Sequence, residues 1–381
     1  MRAAVLALAA VLAFTSPCWA AGPQGEPVVV GVLYNLTGAM ASIDVPGLEG
    51  MKLAAARVNA EGGLLGRPLR LEVRDCASDV ERCRTAAREL ADMGVVAMAG
   101  LNDSDYALVA GETSVMAGIP FVTAGATLPT LPRLLGPNFF MACFGDDAQA
   151  KAVAKFALRH MGVESMLVMT NRDHAFTTAL SGYFVRRYRE RGGEIPFRAS
   201  FSQTSPPAIA GDAAACLKNG GCRGVFVAGM PGDAVDSVRA LRAARYAGPV
   251  FSGDGFDTGL LSGLNAEEAS PGIFFSTHVA YDSPRPEVKR FVGEWTAVHG
   301  APPSSGFAAL GYDALGLVAR AVKASGSTGG APVRRALAAT RGYQGATGEI
   351  GYPQPLAPPL KTVFVMRYDG SGRALAGEVL P

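Results

Sequence analysis

The sequence predicts two doubly wound α/β domains in series, each a mainly parallel sheet covered on both faces by helices. Three observations carry this. Short runs that are apolar throughout alternate with segments of helical periodicity, as strands buried on both faces must. That rhythm runs from Val28 to Val122, breaks into an irregular stretch around Asn138 to Asp147, and then starts again. The chain has 381 residues, and the roughly 360 left after a leader are enough for two domains with a core each.

The elements follow in order. Val28 to Val32 is a continuous apolar strand, and Leu48, Met51, Ala55 and Val58 recur at helical intervals until Glu61-Gly62-Gly63 ends the helix. Leu69, Leu71 and Val73 alternate as a strand, Val80, Cys83, Ala87 and Leu90 return to helical spacing, and apolar strands follow at Val95 to Ala99 and Ile119 to Val122. The second unit opens with a helix through Ala148 to Met161 and a strand at Met166 to Met169. Strands at Gly224 to Ala228, Pro249 to Phe251 and Ile273 to Ser276 continue it, with a helix at Asp233 to Tyr246. The stretch from Pro286 to Pro381 holds two or three helices and a few strands, too little for a third domain, and is expected to complete the first two.

Composition narrows the function. Arg2, the apolar run Ala3 to Phe14 and the small residues before Ala21 read as a secretory signal with cleavage after Ala20. The residues before Cys18 lack a lipid-attachment pattern, and no later run is long and apolar enough to span a bilayer. The expectation is therefore a soluble periplasmic protein. Net charge is +2, with 18% charged residues of mixed sign and no basic stripe, which argues against a nucleic-acid partner. An oxidising compartment permits bridges between Cys76 and Cys83 and between Cys216 and Cys222, with Cys143 left as a buried thiol. The alternative is that all five are apolar core residues; neither spacing is that of a zinc site, and no metal or cofactor is expected.

In open α/β sheets ligands bind beyond the carboxyl ends of the strands. In the first unit these loops carry Leu36-Thr37-Gly38, Asn102-Asp103-Ser104 and Ala124-Gly125-Ala126-Thr127, small or hydroxyl-bearing residues suited to hold an anion at helix starts. Ser104 taken alone reads as an N-cap and Thr127 as a turn hydroxyl, but their joint placement points to one carboxylate. In the second unit the loops present His174-Ala175-Phe176, Met230-Pro231-Gly232 and Gly253-Asp254-Gly255. Asp254 either makes an Asx turn or offers a cleft carboxylate to an ammonium group. Phe176 reads as a helix staple or a ligand wall. No G-x-S-x-G, H-E-x-x-H, G-x-x-x-x-G-K-[ST] or G-x-G-x-x-G motif occurs, and the histidines at 160, 174, 278 and 299 show no paired spacing, so a secreted enzyme is the least supported class.

Taken together, Leu36-Thr37-Gly38 through Asp44 and Gly50, Asn59-Ala60-Glu61-Gly62-Gly63 with Leu65-Gly66-Arg67-Pro68, Pro120 through Ala126-Thr127 to Leu131, Gly253-Asp254-Gly255-Phe256-Asp257 and Ala308 to Ala314 resemble the type I periplasmic binding proteins of the leucine/isoleucine/valine-binding class. The resemblance covers nearly the whole mature chain. It implies two Rossmann-like lobes joined by three crossovers, residues 27–143 with 277–355 and residues 144–276 with 356–381, closing on a ligand between them. It implies a carboxylate held by Ser104 and the Gly125, Ala126 and Thr127 loop, an ammonium held by Asp254, and aromatic walls at Phe176 and Phe307. The partners implied are a small ligand, most simply an amino acid, and the membrane permease of an ABC importer; the protein itself is expected to be a monomer. Phe176 lacks the family's phenol hydroxyl, Met230-Pro231 stands where a tyrosine is common, and Ile43 replaces an aromatic, so an aromatic carboxylate or an amide stays open. Asp103 and Asp105 flank Ser104 and would favour a ligand with positive charge if they face the cleft, or else point to solvent. A sensor of the same fold is the rival to a transport receptor.

Overall fold

The computed structural model describes residues 22–380; the signal segment read at residues 1–20 lies outside them. The first unit runs β1 (Val28–Tyr34), α1 (Ala41–Ala60), β2 (Leu69–Asp75), α2 (Val80–Asp92), β3 (Met98–Gly100), α3 (Ser104–Met116), β4 (Phe121–Thr123), α4 (Leu131–Leu135) and β5 (Phe139–Met141). The second runs α5 (Asp146–Arg159), β6 (Ser165–Asn171), α6 (Ala175–Arg189), β7 (Glu194–Phe201), α7 (Gly211–Lys218), β8 (Gly224–Ala228), α8 (Asp233–Ala243), β9 (Val250–Ser252), α9 (Ala266–Ala269) and β10 (Ile273–Thr277). After it come α10 (Pro286–His299), α11 (Phe307–Ser325), α12 (Gly330–Ala338), β11 (Tyr343–Gly345), β12 (Gly348–Ile350), β13 (Val363–Tyr368) and β14 (Arg373–Val379).

The doubly wound architecture is present twice. The first sheet has the order β2-β1-β3-β4-β5, parallel throughout. The second has the order β14-β13-β10-β9-β8-β6-β7, in which the five strands β6 to β10 are parallel and β13 and β14 add an antiparallel edge. In both parallel sets the chain order reverses beside the first strand, between β1 and β3 and between β6 and β8. Those reversals open crevices at the carboxyl ends of the strands. The chain passes between the sheets three times, after β5, after β10 and before β13, so the C-terminal stretch does serve both units.

The central strands hold the core because every residue of β3, β4, β5, β8, β9 and β10 is buried. On α1 the positions read as one face, Leu48, Met51, Ala55 and Val58, are buried, and full burial of each large side chain stabilises by about 1.5–3 kcal/mol. Helix α11 lies directly against α1. A Cβ on Gly50 would run into the carbonyl oxygen of Ala308, and one on Gly311 into that of Gly47, so the two backbones touch where those glycines meet. Among the described residues no helix is long and apolar enough to cross a membrane.

Two sequence expectations need correction. The stretch read as irregular contains β5, three residues too short to show a period. The Cys216–Cys222 bridge is formed, but Cys76 and Cys83 are free thiols, their sulfurs 2.8 Å apart, well beyond the roughly 2.05 Å of a covalent pair. Cys143 is a buried free thiol, as read, and its Sγ lies 3.3 Å from the carbonyl of Ala126.

Candidate functional site

Strand β3 ends at Gly100, and Leu101 turns the chain away with a positive φ of 52°, a conformation non-glycine residues rarely adopt and that surrounding contacts must hold. Those contacts centre on Asp44, buried on the first turn of α1. Its Oδ1 accepts from the backbone N and Nδ2 of Asn102, and its Oδ2 from the backbone N and Nδ2 of Asn35. One carboxylate thereby fixes the loops leaving β1 and β3. Burial pushes its pKa up to about 7 against the pull of these hydrogen bonds.

Asp103, not Ser104, caps α3: its Oδ1 accepts from the backbone N–H of Asp105 and Tyr106. Ser104 is the first helical residue, and its hydroxyl accepts from the Leu128 N–H at 3.2 Å, tying the β3 loop to the β4 loop. The β4 loop is pinned further by Gly125 N–H to the Leu101 carbonyl and Ala126 N–H to the Thr123 hydroxyl. Among the described residues, the N–H groups of Ser104 and Thr127 donate to no protein acceptor. Gly125 allows Phe307 to approach: a Cβ there would stand 2.8 Å from the Phe307 ring and 2.6 Å from Asn102 Oδ1.

Asp254 does not stand free in a cleft, nor does it make an Asx turn. It is 1% exposed and opens a 3₁₀ turn after β9. Oδ1 accepts from Gln149 Nε2 at 2.9 Å and Oδ2 lies 3.0 Å from His278 Nε2, while the Asp254 N–H donates to Gln149 Oε1. Gln149 Nε2 also donates to Asp146 Oδ1, and the Asp146 N–H donates to the Thr127 carbonyl. His278 stacks on Phe144 at 3.8 Å between centroids and tilts toward Phe307 at 6.1 Å. A continuous path therefore joins Thr127, Asp146, Gln149, Asp254, His278 and Phe307, and brings Asp254 to the loop of Gly125 and Ala126.

The electrostatics of this path are those of a dry site. Asp146 is held well above the usual carboxylate range, first by burial and then by Asp254 beside it. Burial holds the His278 pKa below its ordinary value, against the pull of Asp254. Among the described residues, three buried polar atoms here find no partner: Asn102 Oδ1, Asp146 Oδ2 and His278 Nδ1. Most buried polar atoms in proteins are paired, so these are the groups a polar solute could satisfy.

The remaining predicted residues are all buried apolar side chains of one cluster that spans both sheets: Ile43, Ala126, Phe176, Met230 and Phe307. Phe176 is the second residue of α6, 3.4 Å from where a Cβ of Gly255 would be. Met230 follows β8 and its N–H donates to Asp233. Ile43 gives its carbonyl to Asn102 Nδ2. Sequence reasoning missed Asp44, Asp146, Gln149 and His278 as parts of the site. His278 follows β10 directly, so its position after a strand was the available signal; Gln149 sits inside a helix and carries none.

Comparison with known proteins gives the family and the fold. The profile of a family described as periplasmic binding protein matches residues 27–373. Leu/Ile/Val-binding protein homolog 1 of Brucella suis is 23% identical over 377 residues, covering 96% of this chain and 95% of the relative. Among solved structures, the leucine-binding protein LivK of Thermotoga maritima superposes with a TM-score of 0.85 at 24% identity, covering 93% of this chain and 99% of that one. LivJ of Streptococcus pneumoniae, in complex with isoleucine, gives 0.84 at 23%, covering 93% and 100%. A solute-binding protein of an ABC transporter from R. palustris, in complex with benzoate, gives 0.79 at 21%, covering 93% and 97%.

Proposed function

Since the chain belongs to the periplasmic binding protein family, a family of solute receptors and not of enzymes, we propose that it is the extracytoplasmic receptor of an ABC importer for a small carboxylate-bearing solute, an amino acid in the first reading. The lobes are residues 27–143 with 277–355 and residues 144–276 with 356–381. The observation that carries the proposal is the bond from Leu128 N–H to the Ser104 hydroxyl, which ties the start of α3 to the β4 loop, together with the buried Ser104 and Thr127 N–H groups that donate to no acceptor among the described residues. A helix start with free donors favours an anion. Phe176, Met230, Phe307 and Ile43 supply the apolar wall, and Asp254 is the acid that would meet an ammonium. A leader removed after Ala20 would deliver the receptor, and lobe closure would present it to a permease.

A second reading has its own support. Both oxygens of Asp254 already take a donor, and the surroundings are rich in rings, with Phe144, Phe176, His278 and Phe307 close by. That favours an aromatic carboxylate without an amine. Isothermal titration of the mature protein with leucine, isoleucine, valine and benzoate separates the two. Binding of amino acids alone supports the first reading and binding of benzoate alone the second. In either case Ser104→Ala should weaken binding at least about tenfold, the loss of a hydrogen bond to a charged group, and unchanged affinity would remove the carboxylate cradle.

A further inference from the structure

Beyond the contact of their glycines, α1 and α11 line a cavity of about 490 Å³ together with Tyr343 of β11. Ordinary small-molecule pockets hold about 300–1,000 Å³. It stands apart from the solute site. Arg57 and Lys323, which border it, come fourteen and sixteen residues after Ile43 and Phe307 on the same two helices, about 20–25 Å further along their axes at 1.5 Å per residue. Most of its wall is aliphatic, from Ala54, Val58, Gly316 and Ala319. Gly316 is what admits the tyrosine: a Cβ there would stand 1.9 Å from the Tyr343 hydroxyl oxygen.

That hydroxyl makes no hydrogen bond among the described residues, and burial, ahead of Asp313 and Tyr312, holds its pKa well above the ordinary value. It therefore keeps its proton and can donate it. Three cations border the cavity, Arg57, Arg320 and Lys323, against one acid, Glu61. Glu61 is already paired with Arg57 Nε at 2.8 Å. Arg57 Nη1 donates to the Tyr312 hydroxyl, which donates in turn to Glu294. Arg320 Nη2 donates to the Arg341 carbonyl, and its guanidinium carbon lies 5.9 Å from the centroid of the Tyr343 ring. Both guanidiniums are thus held in place with N–H groups to spare, since each carries five. Lys323, in the last turn of α11, pairs with no carboxylate among the described residues.

We propose that this cavity is a second binding site, separate from the solute cleft, for a small aliphatic carboxylate. The hydrocarbon body packs on the alanines and Val58, and the anionic head is taken by Lys323, Arg320 and the Tyr343 hydroxyl, in hydrogen bonds that the negative charge strengthens. An apolar body with one negative end matches the lining in both respects. A cation would meet the excess of positive charge, and a zwitterion would leave its ammonium with only Glu61, which Arg57 already holds.

The test uses sodium octanoate alone, without a cleft solute, so it stands whether or not the receptor reading does. Titrated calorimetrically into the mature protein, octanoate should show a saturable equivalent per chain. Lys323→Glu and Tyr343→Phe should each weaken it at least about tenfold, the loss of a bond to a charged group, while Ser104→Ala leaves it unchanged. Near-ultraviolet circular dichroism establishes that the variants are folded; Lys323, exposed on α11, keeps the test open should Tyr343→Phe fail to fold. No saturable binding, parental affinity in either folded variant, or a loss in Ser104→Ala that would put the octanoate in the solute cleft, overturns the site.

Discussion

Nε2 of His278 lies 3.0 Å from Oδ2 of Asp254, and both side chains are closed off from solvent. This pair changes what Asp254 is expected to do. From sequence it reads as a turn residue or a cleft acid. In the structure, Asp254→Ala strips partners from His278 and Gln149 at once, and each buried polar group left unpaired costs about 1–3 kcal/mol. Urea unfolding of the variant should show that loss. A stability within about 0.5 kcal/mol of the parent, the range of a surface change, would contradict the buried pairing.

Asp44 gives a pH dependence with a definite sign. Its carboxyl titrates near pH 7 in the fold but near 3.9 in an unfolded chain. Between those values the folded protein holds a proton that the unfolded chain has released. Its contribution to stability is therefore full below about pH 4 and lost as pH rises to about 7, by roughly 1.4 kcal/mol per unit at most. Asp44→Asn does not titrate. The stability of the parent relative to this variant should fall between pH 4.5 and 7 by about 3 kcal/mol, and a constant difference would show that Asp44 is ionised throughout.

His278 acts in the opposite sense. Its folded pKa lies below 6.5 because burial disfavours the imidazolium, so the unfolded chain takes up the proton first as pH falls. Stability from this residue is complete above about pH 6.5 and declines below it. The acid limb of a melting-temperature profile should be shallower in His278→Gln than in the parent, and an equal slope would assign that limb to other groups.

The thiols can be counted. Unfolding without reductant should expose three reactive sulfurs among the described residues, Cys76, Cys83 and Cys143, with Cys216 and Cys222 silent until reductant is added. A mild oxidant should reduce the three to one, because Cys76 and Cys83 already touch. Only one thiol before oxidation would restore the bridge that the sequence suggested.

Gly311→Ala tests the contact between α1 and α11. Alanine is the better helix former by about 1 kcal/mol, yet its methyl would meet the Gly47 carbonyl, and forced overpacking costs about 1–3 kcal/mol. Net destabilisation is expected, with weaker solute binding because Phe307 and Asp44 sit on these two helices. A stabilised variant would mean that the helices part easily.

Legibility tracked whether a residue's role was local. Gly224 to Ala228 was readable as a strand because all five residues are buried in a parallel sheet. Strand β7 was not read although Ile195, Phe197, Ala199 and Phe201 alternate with exposed Glu194, Pro196, Arg198 and Ser200; Pro196 argues against a strand, and the strand's place at the sheet edge is what tolerates it. The loops of Ser104, Thr127, Asp254 and Met230 were found from their positions after strands. Gln149 was not, because its purpose lies in Asp254, 105 residues further along the chain. The same holds for Asp44, whose partner Asn102 comes 58 residues later. A side chain's solvation, as with Asp254, was beyond sequence for the same reason.

The touching backbones of α1 and α11 also govern when this protein can finish folding. Synthesis proceeds from the N-terminus, so all strands of the first sheet exist once Met141 is made, yet the helix that packs on α1, β3 and β4 ends only at Ser325. The second sheet waits in turn for β13 and β14. Neither half can seal its apolar surface until nearly the whole polypeptide is available, and contacts this distant in sequence form slowly. A nascent chain built this way stays loose through most of its synthesis, which suits a member of a family that works outside the cytoplasm.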